Sequence, residues 1–311
     1  MKRKDFILFI MFVFILILLL LVSCGPKKKY TPVSSAVRRN GVDGPLTKPL
    51  LPGGPQGVTN PGNGGGAVND EQILKQKEIE SIKIPDKVLK ILETHDDENW
   101  DEDAAGYNLK GANQLFTRVK YDVFIEDRFL FFLYNDATDE TRAQESKAVR
   151  REFYLACEYN ANFIKAFAGV VNKLVATDEL AAKNEAELEQ FLEDVRSYAR
   201  FYYDVYSVLK EKQNQLDALT LGQLQWLKTA FLELEKEQQE LYDVIQLIIN
   251  DYNKDTSINS SEPTHNLKSD DTLPDEIIEY WQKDTHRGEF DSKRGVILKI
   301  ASEIVGVLTY L

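Results

Sequence analysis

Thr220-Leu221-Gly222-Gln223-Leu224-Gln225-Trp226-Leu227 opens the stretch that decides the fold, and that stretch runs on to Tyr252. Thr220 with Gln223 three residues later reads as a capping box, in which hydroxyl and amide satisfy each other's backbone N–H. Apolar residues then recur at Leu224, Leu227, Phe231, Leu234, Leu241, Ile245, Ile248 and Tyr252, a 3-4 spacing interrupted only by Gln238. At 3.6 residues per turn this makes one narrow apolar stripe, so the segment is a long helix packed against other helices.

The same period continues on both sides. Asn184-Glu185-Ala186-Glu187 reads as a second capping box. It is expected to open a helix with Leu188, Phe191, Leu192, Val195, Tyr198, Tyr202, Val205, Leu209, Leu216 and Leu219 on one side. An earlier helix is expected over about Asp139 to Ala176, burying Val149, Phe153, Cys157, Ile164, Phe167, Val171 and Leu174. Leu115, Phe116, Val119, Val123, Phe129, Leu130 and Leu133 suggest one more, and shorter helices are expected at 71–83, 86–94, 274–283 and 292–311. No stretch alternates with period two for long enough to read as a strand. The expected fold class is all-α, a multi-helix bundle over 71–311 with mostly antiparallel neighbours.

Upstream of Glu71 the chain changes character. Seven of its ten prolines (Pro26, Pro32, Pro45, Pro49, Pro52, Pro55 and Pro61) fall between Gly25 and Asp70, together with Gly62-Asn63-Gly64-Gly65-Gly66. With few large apolar residues the ordering entropy is not offset, so 24–70 is expected to be a flexible, disordered tether. Ahead of it lie a basic start, Met1-Lys2-Arg3-Lys4, an unbroken apolar run from Phe6 to Val22, and Leu21-Val22-Ser23-Cys24. This is the layout of a lipoprotein signal peptide over 1–23, with Cys24 as the lipidated residue. An uncleaved transmembrane anchor is the competing reading of the apolar run. The lipid reading is preferred because the run stops at a small residue and a cysteine. Acyl chains on Cys24 would hold the chain on a membrane.

The chain carries 38 Lys and Arg against 50 Asp and Glu, net −12. Removal of residues 1–23 takes three basic and one acidic side chain with it, leaving −14. Such a surface repels phosphate backbones, so nucleic acid is not an expected partner. Beyond Cys24 only Cys157 remains, so no intramolecular disulfide is expected in the mature chain and stability must come from a core.

The lipobox Leu21-Val22-Ser23-Cys24, the Pro/Gly tether and an acidic helical body together resemble the outer-surface lipoproteins of the Lyme-disease spirochaetes. Within these, the chain is most similar to paralogous family 54, which includes a complement regulator-acquiring surface protein. Phe129-Leu130-Phe131-Phe132-Leu133-Tyr134-Asn135-Asp136, read as closing a helix before an acidic start at Asp139, is the local stretch that carries it. The resemblance implies lipid-anchored display on the outer membrane during tick-to-mammal transmission. In some members it implies binding of host complement regulators or other serum proteins, and in the complement-binding relative a role for the C-terminal helix in dimerisation.

Catalytic chemistry finds little support. His95, His265 and His286 fit no paired-ligand spacing, and no Gly-x-Ser-x-Gly elbow occurs. Cys157 sits on an apolar helix face, where a thiol acts as a small hydrophobe. The acidic run Asp96-Asp97-Glu98-Asn99-Trp100-Asp101-Glu102-Asp103 fails the calcium-loop pattern at Ala105 and Ala112 and reads as a solvated connector. Asn259-Ser260-Ser261 matches a glycosylation sequon but reads as loop. No enzyme activity, metal or cofactor is expected.

Two features point to partners. Tyr198, Phe201, Tyr202, Tyr203 and Tyr206 fan over about 200° of a helix, at about 100° per residue. That width means a helix surrounded on most sides, or one on which Phe201 or Tyr203 reaches the surface as a binding residue. The apolar run Val296, Ile297, Ile300, Ala301, Ile304, Val305, Val307, Leu308, Leu311 continues to the last residue. It must dock on its own bundle, giving a monomer, or on a second copy, giving a dimer in which Ile304 and Leu308 are contact residues. The expected function is a surface lipoprotein whose helical domain binds a host protein. The alternatives are an antigenic or structural coat lipoprotein without a high-affinity ligand and, last, a periplasm-facing enzyme or transport component.

Overall fold

The first turn after Thr220 explains why one helix follows. The Gln223 N–H donates to the Thr220 hydroxyl at 3.2 Å and the Thr220 N–H to the Gln223 side chain at 2.9 Å, so the capping box is closed. In the computed structural model, which describes residues 66–125, 128–258 and 263–311, this helix extends unbroken over Leu221–Lys254. Cys24, most of the expected tether and the sequon at Asn259 lie outside the described residues.

The order of elements is α1 Gly66–Ser81, α2 Asp86–Asp96, the single turns α3 Glu102–Ala105 and α4 Leu115–Arg118, and then strands β1 Lys120–Ile125 and β2 Arg128–Leu133. There follow α5 Glu140–Ala156, α6 Ala161–Val171, α7 Asp178–Lys212, α8 Leu221–Lys254, α9 Pro274–Trp281 and α10 Glu289–Thr309. One contiguous core runs through residues from Ile82 to Leu308, so the body carries its own stabilising contacts. α1 opens at Gly66, inside the stretch read as tether.

α7, α8 and α10 form the centre. A 3-10 turn at Gln213–Ala218 folds α8 back along α7, bringing Glu235 opposite the hydroxyls of Tyr202 (2.7 Å) and Tyr206. Arg287 pairs with Glu187 and Arg294 with Asp194 (3.0 Å), the same step along both segments, so α10 runs parallel to α7. Lys293 reaches across to Glu237 on α8 at 3.2 Å. On α10, Phe290, Ile297, Ile300, Ala301, Ile304 and Leu308 are buried between the two long helices. The α8 stripe is buried at Leu224, Leu227, Phe231, Leu234 and Leu241, and Gln238, its polar interruption, is buried with them.

Three expectations are corrected. The helix read across Leu115 to Leu133 is only the turn α4, followed by an antiparallel hairpin pairing Tyr121 with Phe132, Asp122 with Phe131 and Val123 with Leu130. Tyr121, Val123 and Phe132 point into the core while Asp122 and Phe131 face solvent, a period of two over runs too short to separate from a helical period. β-branched and aromatic side chains that fit a half-buried pleated surface decide it. The Phe129–Asp136 stretch therefore ends a strand, not a helix.

The helix expected over Asp139 to Ala176 breaks after Ala156, where Glu158 (φ 53°) and Tyr159 (φ 54°) take left-handed conformations. Two such residues without glycine are strained and persist only where packing over-determines them. The Tyr159 ring meets Trp100 edge-on at 4.8 Å, its hydroxyl lies 2.9 Å from His95 Nδ1, and the Tyr107 hydroxyl donates to its carbonyl at 3.3 Å. Asn160 then caps α6 through the N–H groups of Asn162 and Phe163.

α7 begins at Asp178 rather than at the Asn184 box, with Thr177 accepting from the Leu180 N–H at 3.2 Å, and it ends at Lys212, so Leu216 and Leu219 lie in and after the 3-10 turn rather than on the helix. Asn184 is a buried mid-helix residue that donates to the Leu174 carbonyl at 3.0 Å.

Candidate functional site

The acidic connector is turned inward at one point. Asp101 caps α3, and Glu102, its side chain 9% exposed, accepts from Arg150 Nη2 at 2.6 Å, Lys110 Nζ at 3.1 Å and the Tyr154 hydroxyl at 3.0 Å. Arg150 also donates to the Tyr134 carbonyl at 2.6 Å. Burial alone would raise the Glu102 pKa. The hydrogen bond and charge of Arg150, then those of Lys110, carry it below the ordinary carboxylate value. Arg151 donates to the Thr94 and Asp97 carbonyls at 2.8 Å each, satisfying the end of α2. These charges are structural and paired. Among the described residues, no group of three or more His, Cys, Asp or Glu stands together as a metal cage.

The sequence-predicted partner residues separate sharply. Phe201 is 40% exposed on α7. Tyr203 is 2% exposed, and Ile304 and Leu308 are fully buried, so these three are core residues of their own domain and not partner contacts. The physical reason is that α7 is surrounded: Tyr198 donates to the Ala156 carbonyl at 2.6 Å, and Tyr202 and Tyr206 turn toward Glu235. The C-terminal helix docks in cis. Burial, then Glu158, pushes the Cys157 thiol well up, which makes it a poor nucleophile. His95 and His286 are held below the ordinary value by burial first, then by Arg151 and Lys283 respectively.

What sequence reasoning missed is an apolar chamber of about 150 Å³ where the end of α8 meets α5, α6, α7, α9 and the start of α10. A ladder of rings forms one wall: Phe153 lies 5.2 Å from Phe167, Phe167 5.6 Å from Phe191, Phe191 5.0 Å from Trp281, and Trp281 5.8 Å from Phe290. Val244, Ile245, Ile248 and Ile249 supply the wall from α8, and Cys157 closes the α5 end. Phe163, Ile248 and Trp281 are only half-buried, so the wall reaches solvent there. The signal was available in part. Val244-Ile245-Gln246-Leu247-Ile248-Ile249 is apolar on far more than one stripe, which a helix packed on a single face does not need.

The sequence model of the Borrelia Bbcrasp-1 domain containing protein family matches residues 112–309, from just before α4 to the end of α10. The chain belongs to that family. Two solved structures of outer surface proteins of Borrelia burgdorferi are similar to this family member. One, the outer surface lipoprotein BBA64, is 15% identical, with 78% of this chain and 98% of that chain covered at a TM-score of 0.47. The other, the outer surface protein BBA66, is 14% identical, with 76% and 99% covered at a TM-score of 0.49. No curated protein matches the sequence. The matched region holds the hairpin, the three central helices and the chamber, whereas α1, α2 and α3 precede it. No helix among the described residues is long and apolar enough to cross a membrane.

Proposed function

We propose that this chain is a surface-displayed lipoprotein, anchored in the outer membrane through acyl chains on Cys24. Its helical domain binds a host protein, a complement regulator or another serum or tissue protein, in immune evasion or transmission. Membership of the family over residues 112–309 is the observation that carries this reading, and the Leu21-Val22-Ser23-Cys24 lipobox supports the anchor. The domain works by binding, without catalysis or cofactor, and as a monomer, because α10 is already packed between α7 and α8. Phe201 offers the binding face an aromatic side chain on a helix whose neighbouring rings are buried.

For the anchor, cells fed radioactive palmitate are expected to label this protein and not its Cys24→Ala variant. Label persisting on the variant would refute lipidation at Cys24. For the domain, the chain from residue 63 immobilised and exposed to host serum is expected to retain a complement regulator or another defined serum protein, identified by mass spectrometry. The purified ligand should then bind saturably, and Phe201→Asp should weaken that binding by about tenfold or more with helicity unchanged. Serum that leaves nothing on the column beyond a control helical protein would return the chain to the antigenic-coat reading.

A further inference from the structure

The corner joining α5 to α6 bends through Glu158 and Tyr159, two left-handed residues without glycine, so its shape depends on what clamps them. Three clamps on Tyr159 come from the N-terminal elements: Trp100 against the ring, the Tyr107 hydroxyl on the carbonyl, and His95, in the last turn of α2, on the hydroxyl. These elements precede the region matched by the family model, which begins at residue 112, whereas Tyr159 lies inside it. His95 therefore sits at a join between the family domain and the segment that precedes it. Lys87 of α2 makes a second tie there, to Glu158 at 2.8 Å, with the lysine largely exposed.

The contact depends on the protonation state of the ring. The Tyr159 hydroxyl can donate to His95 Nδ1 only while that nitrogen carries no proton. A protonated Nδ1 claims the hydroxyl oxygen as its acceptor and turns the hydroxyl proton to the Arg151 carbonyl, which lies at 3.4 Å, at the limit of hydrogen-bond range. The charges around the ring oppose this. From α5, the buried Arg151 guanidinium is fixed beside it, donating to the Thr94, His95 and Asp97 carbonyls, and cannot withdraw without releasing the end of α2. The carboxylates that favour a charged ring are Asp96 from α2 and Glu152 from α5. Asp96 is exposed, and Glu152 is committed to Arg196 at 2.8 Å. Burial, then Arg151, keeps the ring neutral.

We propose that His95 is an acid-sensitive latch. Taking up a proton in mild acid, it releases Tyr159, the strained corner relaxes, and the end of α2 with the loop to Trp100 loosens from α5 while α8 and α10 stay folded. The sign follows from linkage. An imidazole harder to protonate in the folded domain contributes its full stability above the unfolded value of about 6.5, and that contribution is lost as pH falls from there through the folded value. One proton raises the open population by at most about tenfold at pH 5.5, one unit below the unfolded value. The device is independent of which host protein the domain binds.

Hydrogen exchange of the chain from residue 63, corrected for the intrinsic pH dependence of amide exchange, reads the corner directly. The Glu158, Tyr159 and Asn160 amides donate to the Leu155, Tyr154 and Cys157 carbonyls at 2.9 Å each, so they are protected while the corner is closed. Between pH 7.5 and 5.5 their protection and that of residues 94–100 should fall several-fold, approaching about tenfold, while α8 and α10 keep theirs. His95→Gln, which carries no titrating proton and keeps an oxygen for the Tyr159 hydroxyl, should hold the corner's protection constant over that range. Where that variant fails to fold, NMR titration of the His95 ring in the unaltered domain decides. Its midpoint is expected below the ordinary value of about 6.5, and the loss of protection should level off there. Protection at the corner that does not change with pH would overturn the proposal. So would a loss that persists in His95→Gln, a loss shared by α8 and α10, or a His95 midpoint at or above the ordinary value.

Discussion

Deleting residues 289–311 is expected to abolish the folded domain rather than release a stable monomer from a dimer. The deletion removes Phe290, Ile297, Ile300, Ile304 and Leu308, all at 6% exposure or less. Burial of each such side chain contributes about 1.5–3 kcal/mol, so their sum matches a whole domain's stability of about 5–15 kcal/mol. The loss also bares the groove between α7 and α8. Ile304→Ala gives a graded version: a cost of about 2–5 kcal/mol, and a fall in melting temperature of roughly 5–15 °C for a body of this size. Circular dichroism melts and sedimentation equilibrium of the three proteins read the result. A truncated domain that melts like the intact one would refute the cis-docked helix, and an intact domain that sediments as a dimer would refute the monomer.

Arg150→Ala is expected to be the most damaging single replacement outside the central helices. It leaves the Glu102 carboxylate buried with Lys110 and Tyr154 alone and strips the Tyr134 carbonyl of its donor. Breaking a buried pair from one side costs about 3–5 kcal/mol, since the remaining charge stays desolvated. Replacing both residues by methionine should recover most of the loss, because two apolar side chains of similar volume leave no orphaned charge.

The pH dependence has a definite sign. Glu102 has a folded pKa below its unfolded value, so its contribution is fully present above the ordinary glutamate range, about 4.3. It is lost as pH falls through the lower folded value. The unaltered domain should therefore lose its advantage over Arg150→Ala on acidification below about pH 4. Urea titrations between pH 3 and 7 measure this, and a stability gap that stays constant across the range would contradict the assignment.

How much was legible differs from element to element. Thr220 to Tyr252 was readable throughout, because cap and stripe are both written within a few residues of where they act. The family resemblance, drawn from lipobox, tether and helical body, agrees with the family match over 112–309. The hairpin was not readable. Val119, Val123, Leu130 and Leu133 satisfy a helical spacing as readily as Tyr121, Val123, Leu130 and Phe132 satisfy an alternating one. The break at Glu158 and Tyr159 carries no glycine or proline to announce it, and it is held by Trp100, His95 and Tyr107, residues about fifty to sixty-five positions away. The chamber left only the broadened apolar face at 244–249, since its ring ladder draws on four separate helices and the start of α10.

By itself, then, the amino-acid sequence determined the helical character of the body, the start of α8, and the apolar quality of the C-terminal run. These depend on backbone propensity, capping and periodicity, which act between residues three or four apart. The tertiary structure alone decided that Tyr203, Ile304 and Leu308 are core while Phe201 faces solvent, that Glu102 is an inward partner of Arg150, and that six helices converge on an apolar chamber. A side chain's exposure depends on what lies opposite it, and here the opposing elements are separated by tens to hundreds of residues in the chain.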